Sequence, residues 1–240
     1  MLTLFHVAEL PTQIGARYTL DGDDGHHAAR VLRISVGEEL MLSDGRGTWS
    51  KTRVVAVDKK TVELEVLVSG FQKVPAISMT VIQAVTKGDK SKEVIELLTE
   101  AGADRIVLWQ AMRSIGKSEK GVEKLRVVAH EASKQSRRFW IPEVSDVVDT
   151  DGAVEIIQGA DLAIVFHEEA MTKLSDLLAK VEQPSSIVIV IGPEGGITDD
   201  ELMAMQSAGA KVALLGRPIL RSAHAGIAAI SAVSAGLRIW

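Results

Sequence analysis

Four short β-branched segments, VLRI, EELMLS, KTRVVAV and TVELEVLV, follow one another between residues 31 and 68 and are parted by turn signals. Their near-alternation of apolar and polar positions predicts strands. SDGRGTW, with Gly45 and Gly47, lies between two of them and suits a hairpin, because glycine accepts positive φ. SGFQKVPA, at about residues 70–76, predicts a connector. From about residue 77 the rhythm changes. SMTVIQAV reads as a strand, and Ser91 to Ala101 reads as a helix with Val94, Ile95, Leu97 and Leu98 on one side. RIVLWQ predicts a strand, and Glu119 to Arg138 a helix carrying Val122, Leu125, Val128, Ala129 and Ala132. DLAIVFH, SIVIVIG and KVALLG predict three further strands with helical segments between them. Alternating strands and helices argue for a mostly parallel sheet covered on both faces. The expectation is α/β in class: a small β domain over residues 1–72 and a larger α/β domain over 73–240.

Composition narrows the class without naming a function. The 240 residues are 46% hydrophobic and 25% charged, which is globular rather than disordered. The SIVIVIG run and the small-residue run after Arg221 both fall short of the ~20 residues a bilayer crossing needs. MLTLFHVAEL lacks the features of a signal peptide. Cysteine is absent, which excludes disulfides, thiolate metal sites and a cysteine nucleophile. The six histidines are scattered apart from His26-His27, so no metal site is expected. A cytoplasmic protein without a membrane segment is the expectation. Net charge is -5, yet residues 113–138 carry 8 basic and 3 acidic side chains. Such an island suits a polyanion, and equally a solvated helix face.

Two stretches carry candidate chemistry. In IGPEGGITDDE, residues 191–201, a strand runs into Gly192, Pro193, Glu194, Gly195 and Gly196. Thr198 followed by Glu201 is a capping box that places the next helix start. Paired glycines at the carboxyl end of a buried strand allow a ligand close to backbone amides, or simply make a tight turn. Neither a P-loop nor a GxGxxG fingerprint is present. In LLGRPILRSAHAGIAAISAVSAG, residues 214–236, a strand ends at Leu215-Gly216, Pro218 bends the chain, and a small-residue helix begins near Arg221. That helix suits close packing within the monomer or a dimer interface. A cation at a helix start opposes the dipole, so Arg221 points to an anionic partner or to a salt bridge with Glu194 or Glu168.

Together these stretches resemble the C-terminal signature of SPOUT-class RNA methyltransferases, GPEGG followed by a Leu-Gly … Leu-Arg-Thr segment. More narrowly, the chain resembles the RsmE family of small-subunit ribosomal RNA (uridine-N3)-methyltransferases. HHAARVLRISVGEELMLSDGRG, KGDKSKEVIELLTEAGADRI, WQAMRS, EASKQSRRFWIPEV and HEEA are similar to that family's motifs, in order from Gly25 to Val233. The resemblance implies a PUA-like RNA-binding β-barrel followed by a SPOUT fold whose C-terminal stretch forms a deep trefoil knot. Knots violate the usual rule against threaded loops, so periodicity alone would not suggest one. It implies S-adenosylmethionine as cofactor, bound in the knot, and a homodimer that completes the active site.

Carried onto this chain, the cofactor would be wrapped by Phe166, His167 and Glu168, by Ile191 and Gly192 to Gly196, and by Leu214, Leu215, Gly216, Ile219, Leu220, Arg221 and Ser222. Glu194 would suit either the sulfonium or the ordering of its own loop. Uridine N3 is a poor nucleophile until its proton leaves, and a cation against the resulting anion would favour that loss. Arg221 is the candidate. The family's second polar residue after the Arg-Thr pair is replaced here, in Arg221-Ser222-Ala223-His224. His224 could accept the proton or pack at a dimer interface. The target nitrogen lies on the pairing edge, so the uridine must be unpaired or flipped. Phosphate contacts are expected from Arg30, Arg33, Arg113, Lys117, Lys134, Arg137 and Arg138, with Lys120 and Lys124 nearby. Base-stacking platforms are few, Trp140 and Trp49 at best. The expected partner is small-subunit ribosomal RNA within an assembled subunit. Competing readings are a SPOUT enzyme acting on a ribose 2′-hydroxyl and a non-catalytic RNA-binding assembly factor.

Overall fold

The computed structural model describes residues 2–87, 90–116 and 121–240. Residues divide into two units. The first holds residues 2–74 together with Ser133–Ile141. Its sheet contains β1 (Thr3–His6), β2 (Arg17–Leu20), β3 (Glu39–Ser43), β4 (Thr48–Val57) and β5 (Val62–Phe71), in the order β1-β3-β4-β5-β2. β1 runs parallel to β3, and the other pairings are antiparallel. Alternate residues Leu40, Leu42, Val54, Val62 and Leu64 turn inward with Phe5 and Leu20, as a half-buried sheet requires.

VLRI departs from its expected strand. Gly22–His26 form a short helix, α1, and His27–Val31 continue it as a π-helical turn. A side chain at Gly25 would meet the carbonyl oxygens of Leu20 and Lys60 at 2.5 Å, so glycine lets this helical segment settle onto the sheet. Ala28 and Ile34 are buried there, while Val31 and Leu32 are exposed. The β-branched content of this segment was misleading because packing, not propensity, chose its conformation.

Ser133–Ile141 join the first unit through specific bonds, which a boundary drawn only at residue 72 does not capture. Gly47 N–H donates to Phe139 O at 2.8 Å, and Ile141 N–H to Gly45 O at 3.0 Å. A side chain on Gly47, whose φ is +94°, would strike the Trp140 ring at 2.5 Å. The hairpin glycines therefore also seat this segment.

In the second unit six parallel strands carry the core: β6 (Ser78–Ala84), β7 (Arg105–Trp109), β8 (Glu143–Val148), β9 (Leu162–Phe166), β10 (Ser186–Ile191) and β11 (Lys211–Ala213). Their order is β11-β9-β10-β6-β7-β8. The helices are α2 (Lys90–Glu100), α3 (Val122–Gln135), α4 (Thr150–Gln158), α5 (Leu174–Leu178), α6 (Asp199–Ser207) and α7 (Ser222–Gly236). Ile187, Ile189 and Ile191 of β10 face α2, α5 and α7, and Val188 and Val190 face α4 and α6. Both faces are apolar, which explains the continuous SIVIVI run. The strand expected over KVALLG is shorter, because Leu214 leaves β9 and bonds Thr172 and Leu174 instead. β8 lacks a clear alternation, Glu143 and Asp146 being open to solvent at the sheet edge, whereas α4, not singled out in the sequence, is amphipathic and buries Ala153 and Ile157.

Candidate functional site

A crevice is dictated by the strand order. From β6 the chain crosses to β7 on one side, and from β10 it crosses to β11 on the other. Connections that part in this way open a crevice at the carboxyl ends of β6 and β10, the usual ligand position in open α/β sheets, and here the start of α7 returns to that end through Ser222. The segments after β9, β10 and β11 all leave from this same end. They are the three segments singled out from the sequence, beginning at Phe166, Ile191 and Leu214.

The loop after β10 is tightly tied. Gly196 N–H donates to Pro193 O at 3.0 Å, closing a turn, and Gly196 has φ +77°. A Cβ on Gly195 would lie 2.9 Å from Arg113 Cβ and 3.0 Å from Arg113 O, so only glycine lets the Arg113 backbone approach. Arg113 Nη1 donates to Gly195 O at 3.3 Å. A methyl group on Gly196 would sit 3.8 Å from Arg113 Nη1 and 3.9 Å from Glu168 Oε1, so both charged heads border this loop. Glu194 and Gly195 are exposed. Gly192 and Gly195 thus make room for Ile197 and Arg113, and only at Gly196 is there space for a further group.

Glu201 extends the capping box into a three-way clasp. Thr198 N–H and Oγ1 donate to Oε2 at 2.9 and 2.8 Å. Met112 N–H donates to Oε1 at 2.7 Å, and Thr150 Oγ1 donates to it at 3.3 Å. Trp109 Nε1 donates in turn to Thr150 Oγ1 at 3.2 Å. Burial pushes this carboxyl up, but the donors of Met112, Thr198 and Thr150 outweigh it and hold it below the ordinary carboxylate range. Glu201 thereby joins the loop after β7, which carries Arg113, to the helix that follows the glycine loop. Sequence spacing revealed only the Thr198 half of this role.

The third segment is built differently. Residues 216–221 are exposed, and Arg221 is the N-cap of α7 with no side-chain capping bond. Among the described residues the Arg221 guanidinium has no ion-pair partner, so the salt bridge to Glu194 or Glu168 does not form. Ser222 Oγ donates to Gly192 O at 2.6 Å, tying the second and third segments together. His224 Nε2 lies 3.3 Å from Glu93 Oε1, across from α2. His167 Nδ1 accepts from Glu169 N–H at 3.2 Å, so its other nitrogen carries any single ring proton.

Cavities coincide with these segments only in part. One of about 1240 Å³ borders β11 and includes Asp161, Leu162 and Lys211 near the amino ends of strands, with only His167 among the candidates. Another of about 640 Å³ includes Leu214, Leu215 and Gly216. The carboxyl-end crevice is favoured on topological grounds, since amino ends lack the converging loops.

Of the basic candidates, Arg30, Arg33, Lys134, Arg137 and Arg138 fall in the first unit and Arg113 in the second. Lys117 and Lys120 lie outside the described residues. Lys134 is mostly buried and pairs with Asp24 at 3.1 Å, so its charge is already matched. Arg30 Nε donates to Lys59 O at 3.2 Å. Arg33 and Arg137 are exposed, with φ of 54° and 57°. Trp49 stacks on Phe139 and Trp140 meets Phe71 edge-on, each pair at 5.9 Å. Trp140 Nε1 also donates to Gln72 O. Both rings thus help hold the 133–141 segment in place.

Matches to known families give the class: the chain carries an RNA methyltransferase domain and an RNA methyltransferase PUA domain. An RNA methyltransferase domain model matches residues 73–234, and an RNA methyltransferase PUA domain model matches residues 20–67. The chain is 39% identical to ribosomal RNA small subunit methyltransferase E of Mycobacterium tuberculosis, over 99% of this chain and 93% of that protein. It is 29% identical to the protein of the same name from Bacillus subtilis, over 97% and 93% of the two chains. The crystal structure of ribosomal RNA small subunit methyltransferase E from Neisseria gonorrhoeae, bound to S-adenosyl methionine, superposes with TM-score 0.83 at 25% identity, covering 98% of each chain. The chain belongs to the RNA methyltransferase family, within its ribosomal RNA small subunit methyltransferase E branch.

Proposed function

We propose that this protein transfers a methyl group from S-adenosylmethionine to ring nitrogen 3 of one uridine in small-subunit (16S) ribosomal RNA. The observation that carries this reading is the glycine loop at the carboxyl end of β10, beside an N-cap arginine lacking an ion-pair partner. When bound, the cofactor supplies a methyl carbon already activated by its sulfonium. The backbone of residues 192–196 and 214–216 would hold it, with Glu168 and Glu194 near its positive charge and Phe166 and His167 completing the wall. Residues Ile219 and Leu220 would shield it from the exposed side.

On the RNA side, uridine N3 forms a bond to the methyl carbon as the carbon–sulfur bond breaks, its electron pair returning to sulfur. The N3 proton must leave first. Arg221 stabilises the resulting anion on N3 and its flanking carbonyl oxygens through guanidinium donors. His224 stands three residues further on, in the first turn of α7. With Nε2–H directed to Glu93, its Nδ1 lone pair is a proton acceptor. The arrangement also orients the base toward the methyl, and alignment supplies most of the rate gain.

A trefoil knot over residues 214–222 is supported by the route of the chain. After β11, outside β9, it returns to bond Gly192 and then packs α7 on α2, β6 and β10. A homodimer is supported by the small, partly exposed face of α7, with Ala225, Ala228, Ala232 and Ala235. The assembled subunit is the proposed substrate, in the cytoplasm, with Arg33 and Arg137 on phosphates, aided by Arg30, Arg113 and Arg138.

The test is methyl transfer from labelled S-adenosylmethionine to unmodified small subunits and to naked ribosomal RNA, mapped by primer extension. A methyl on the pairing edge arrests reverse transcription, so one stop at one uridine is expected. Label without a stop indicates a ribose or another non-pairing position. Cofactor binding absent altogether favours a non-catalytic RNA-binding role. RNA affinity should fall steeply between low and physiological salt, by about tenfold or more if two or three phosphates are contacted.

A further inference from the structure

We infer that Gln83, which lies outside the stretches that carry candidate chemistry in the sequence, is a positioning residue that sets the direction of a hydrogen-bond relay through Ser222 to the glycine loop. Gln83 is 2% exposed and sits one residue from the end of β6, in register with Ile191 of β10, the residue before Gly192. Its Nε2 lies 3.2 Å from the Ala84 carbonyl oxygen and 3.0 Å from Ser222 Oγ. Reversing the amide would press two oxygens together at Ala84, so the amide nitrogen must face both. Ser222 Oγ is therefore an acceptor toward Gln83, and its single proton goes to Gly192 O, 2.6 Å away. Each link determines the next: a backbone carbonyl orients an amide, the amide orients a hydroxyl, and the hydroxyl holds the first peptide of the glycine loop.

The relay also explains the close approach of α7. A Cβ on Gly226 would lie 2.6 Å from Leu98 Cδ2 and 3.3 Å from Gln83 Oε1, so this glycine makes room for both side chains. Gln83 Oε1 is buried and has no hydrogen-bond partner among the described residues. Its burial carries a cost that a purely structural site would avoid by using an apolar residue. What the amide provides in return is direction. The relay joins the end of β6 and the start of α7, adjacent to Arg221, to Gly192, so it sets the spacing between the cofactor cradle and the cation.

This inference rests on the proposed cofactor site, and its test separates the two. S-adenosylmethionine binding by calorimetry, single-turnover methyl transfer and amide hydrogen exchange would be measured on Gln83→Met, Ser222→Ala, Ser222→Thr and the Gln83→Met/Ser222→Ala double variant. Ser222→Ala should weaken cofactor binding roughly tenfold and Gln83→Met several-fold, as loss of one buried hydrogen bond predicts. Ser222→Thr keeps the hydroxyl and should stay within about threefold of the parent protein. The double variant should lose little more than Ser222→Ala, since both act through one bond. Exchange of amides in residues 192–197 should quicken in Gln83→Met, while KM for RNA stays unchanged. Additive losses, or Ser222→Ala binding within twofold of the parent, overturn the relay. If the parent protein binds no S-adenosylmethionine, the cofactor reading fails, and the relay is then judged by hydrogen exchange alone: unchanged exchange in Gln83→Met overturns it, and faster exchange supports it.

Discussion

Two neighbouring loops of the candidate site are made in opposite ways. Residues 192–196 are restrained from several sides: Ser222 holds Gly192, Pro193 and Gly196 close a turn, Arg113 packs on Gly195, and Glu201 clasps the helix that follows. Residues 216–221 are exposed and tied mainly at their ends, through Leu214 to Thr172 and Leu174 and through Ser222 to Gly192. A cradle whose amides must meet a ligand gains from being formed in advance, because ordering it on binding would weaken affinity. A segment that must admit a base beside that ligand gains from having room to adjust. On the proposed function, the tied loop serves mainly binding and the open segment, with Arg221, serves the reaction.

The sharpest way to separate the halves is Arg221→Ala. Its single-turnover methyl-transfer rate should fall by ~100-fold or more, as removal of one donor to a developing anion does elsewhere. Cofactor affinity measured by calorimetry should change by less than about threefold, and a parallel collapse of affinity would break the division. Gly195→Ala comes next. The new methyl meets Arg113 backbone rather than a yielding side chain, so cofactor affinity should drop by about tenfold and stability by ~1–3 kcal/mol in chemical denaturation. Glu201→Gln should cost about 1–3 kcal/mol, because an amide cannot accept at both ends. Glu201 also has a signature in pH. Its carboxyl is held below the ordinary value of 4.5 in the folded chain, so the unfolded chain takes up the proton first. Its stabilisation is therefore full above about pH 4.5 and lost as pH falls through the folded value. Denaturation midpoints from pH 6 downward should show a steeper decline in the parent than in Glu201→Gln. The smallest effect belongs to Gly216→Ala in the open segment. A side chain there meets only Pro218 Cδ at 3.9 Å, so stability should stay within ~0.5 kcal/mol. A large loss would show that this segment is as constrained as its neighbour.

Much of the architecture was legible because period and burial agree. The apolar runs of β6, β7, β9 and β10 are buried on both faces, and such strands advertise themselves without context. The Thr198–Glu201 box marked the start of α6 within one residue, since a cap is a local interaction. VLRI misled because Gly25 permits a backbone approach that no pattern of side chains encodes. β8 went unread because a partly exposed edge strand carries weak alternation. Among candidate residues, the loops after β10 and β11 stood out through their glycines and Arg221, and Phe166 to Glu168 only through the family resemblance. Gln83 and the second half of Glu201 were not, because their partners lie 139 and 89 residues away.

Sequence alone therefore marked candidate segments through local chemistry: glycine where backbone must approach, a cap where a helix begins, and a cation at a helix start. Tertiary structure decided how those segments are held. It placed β10 between β6 and β9 and brought Ser222 back to Gly192. It also gave residues 133–141 to the first unit. Those outcomes depend on hydrogen bonds and contacts between residues far apart in the chain, whose directions exist only after the strands have taken their order.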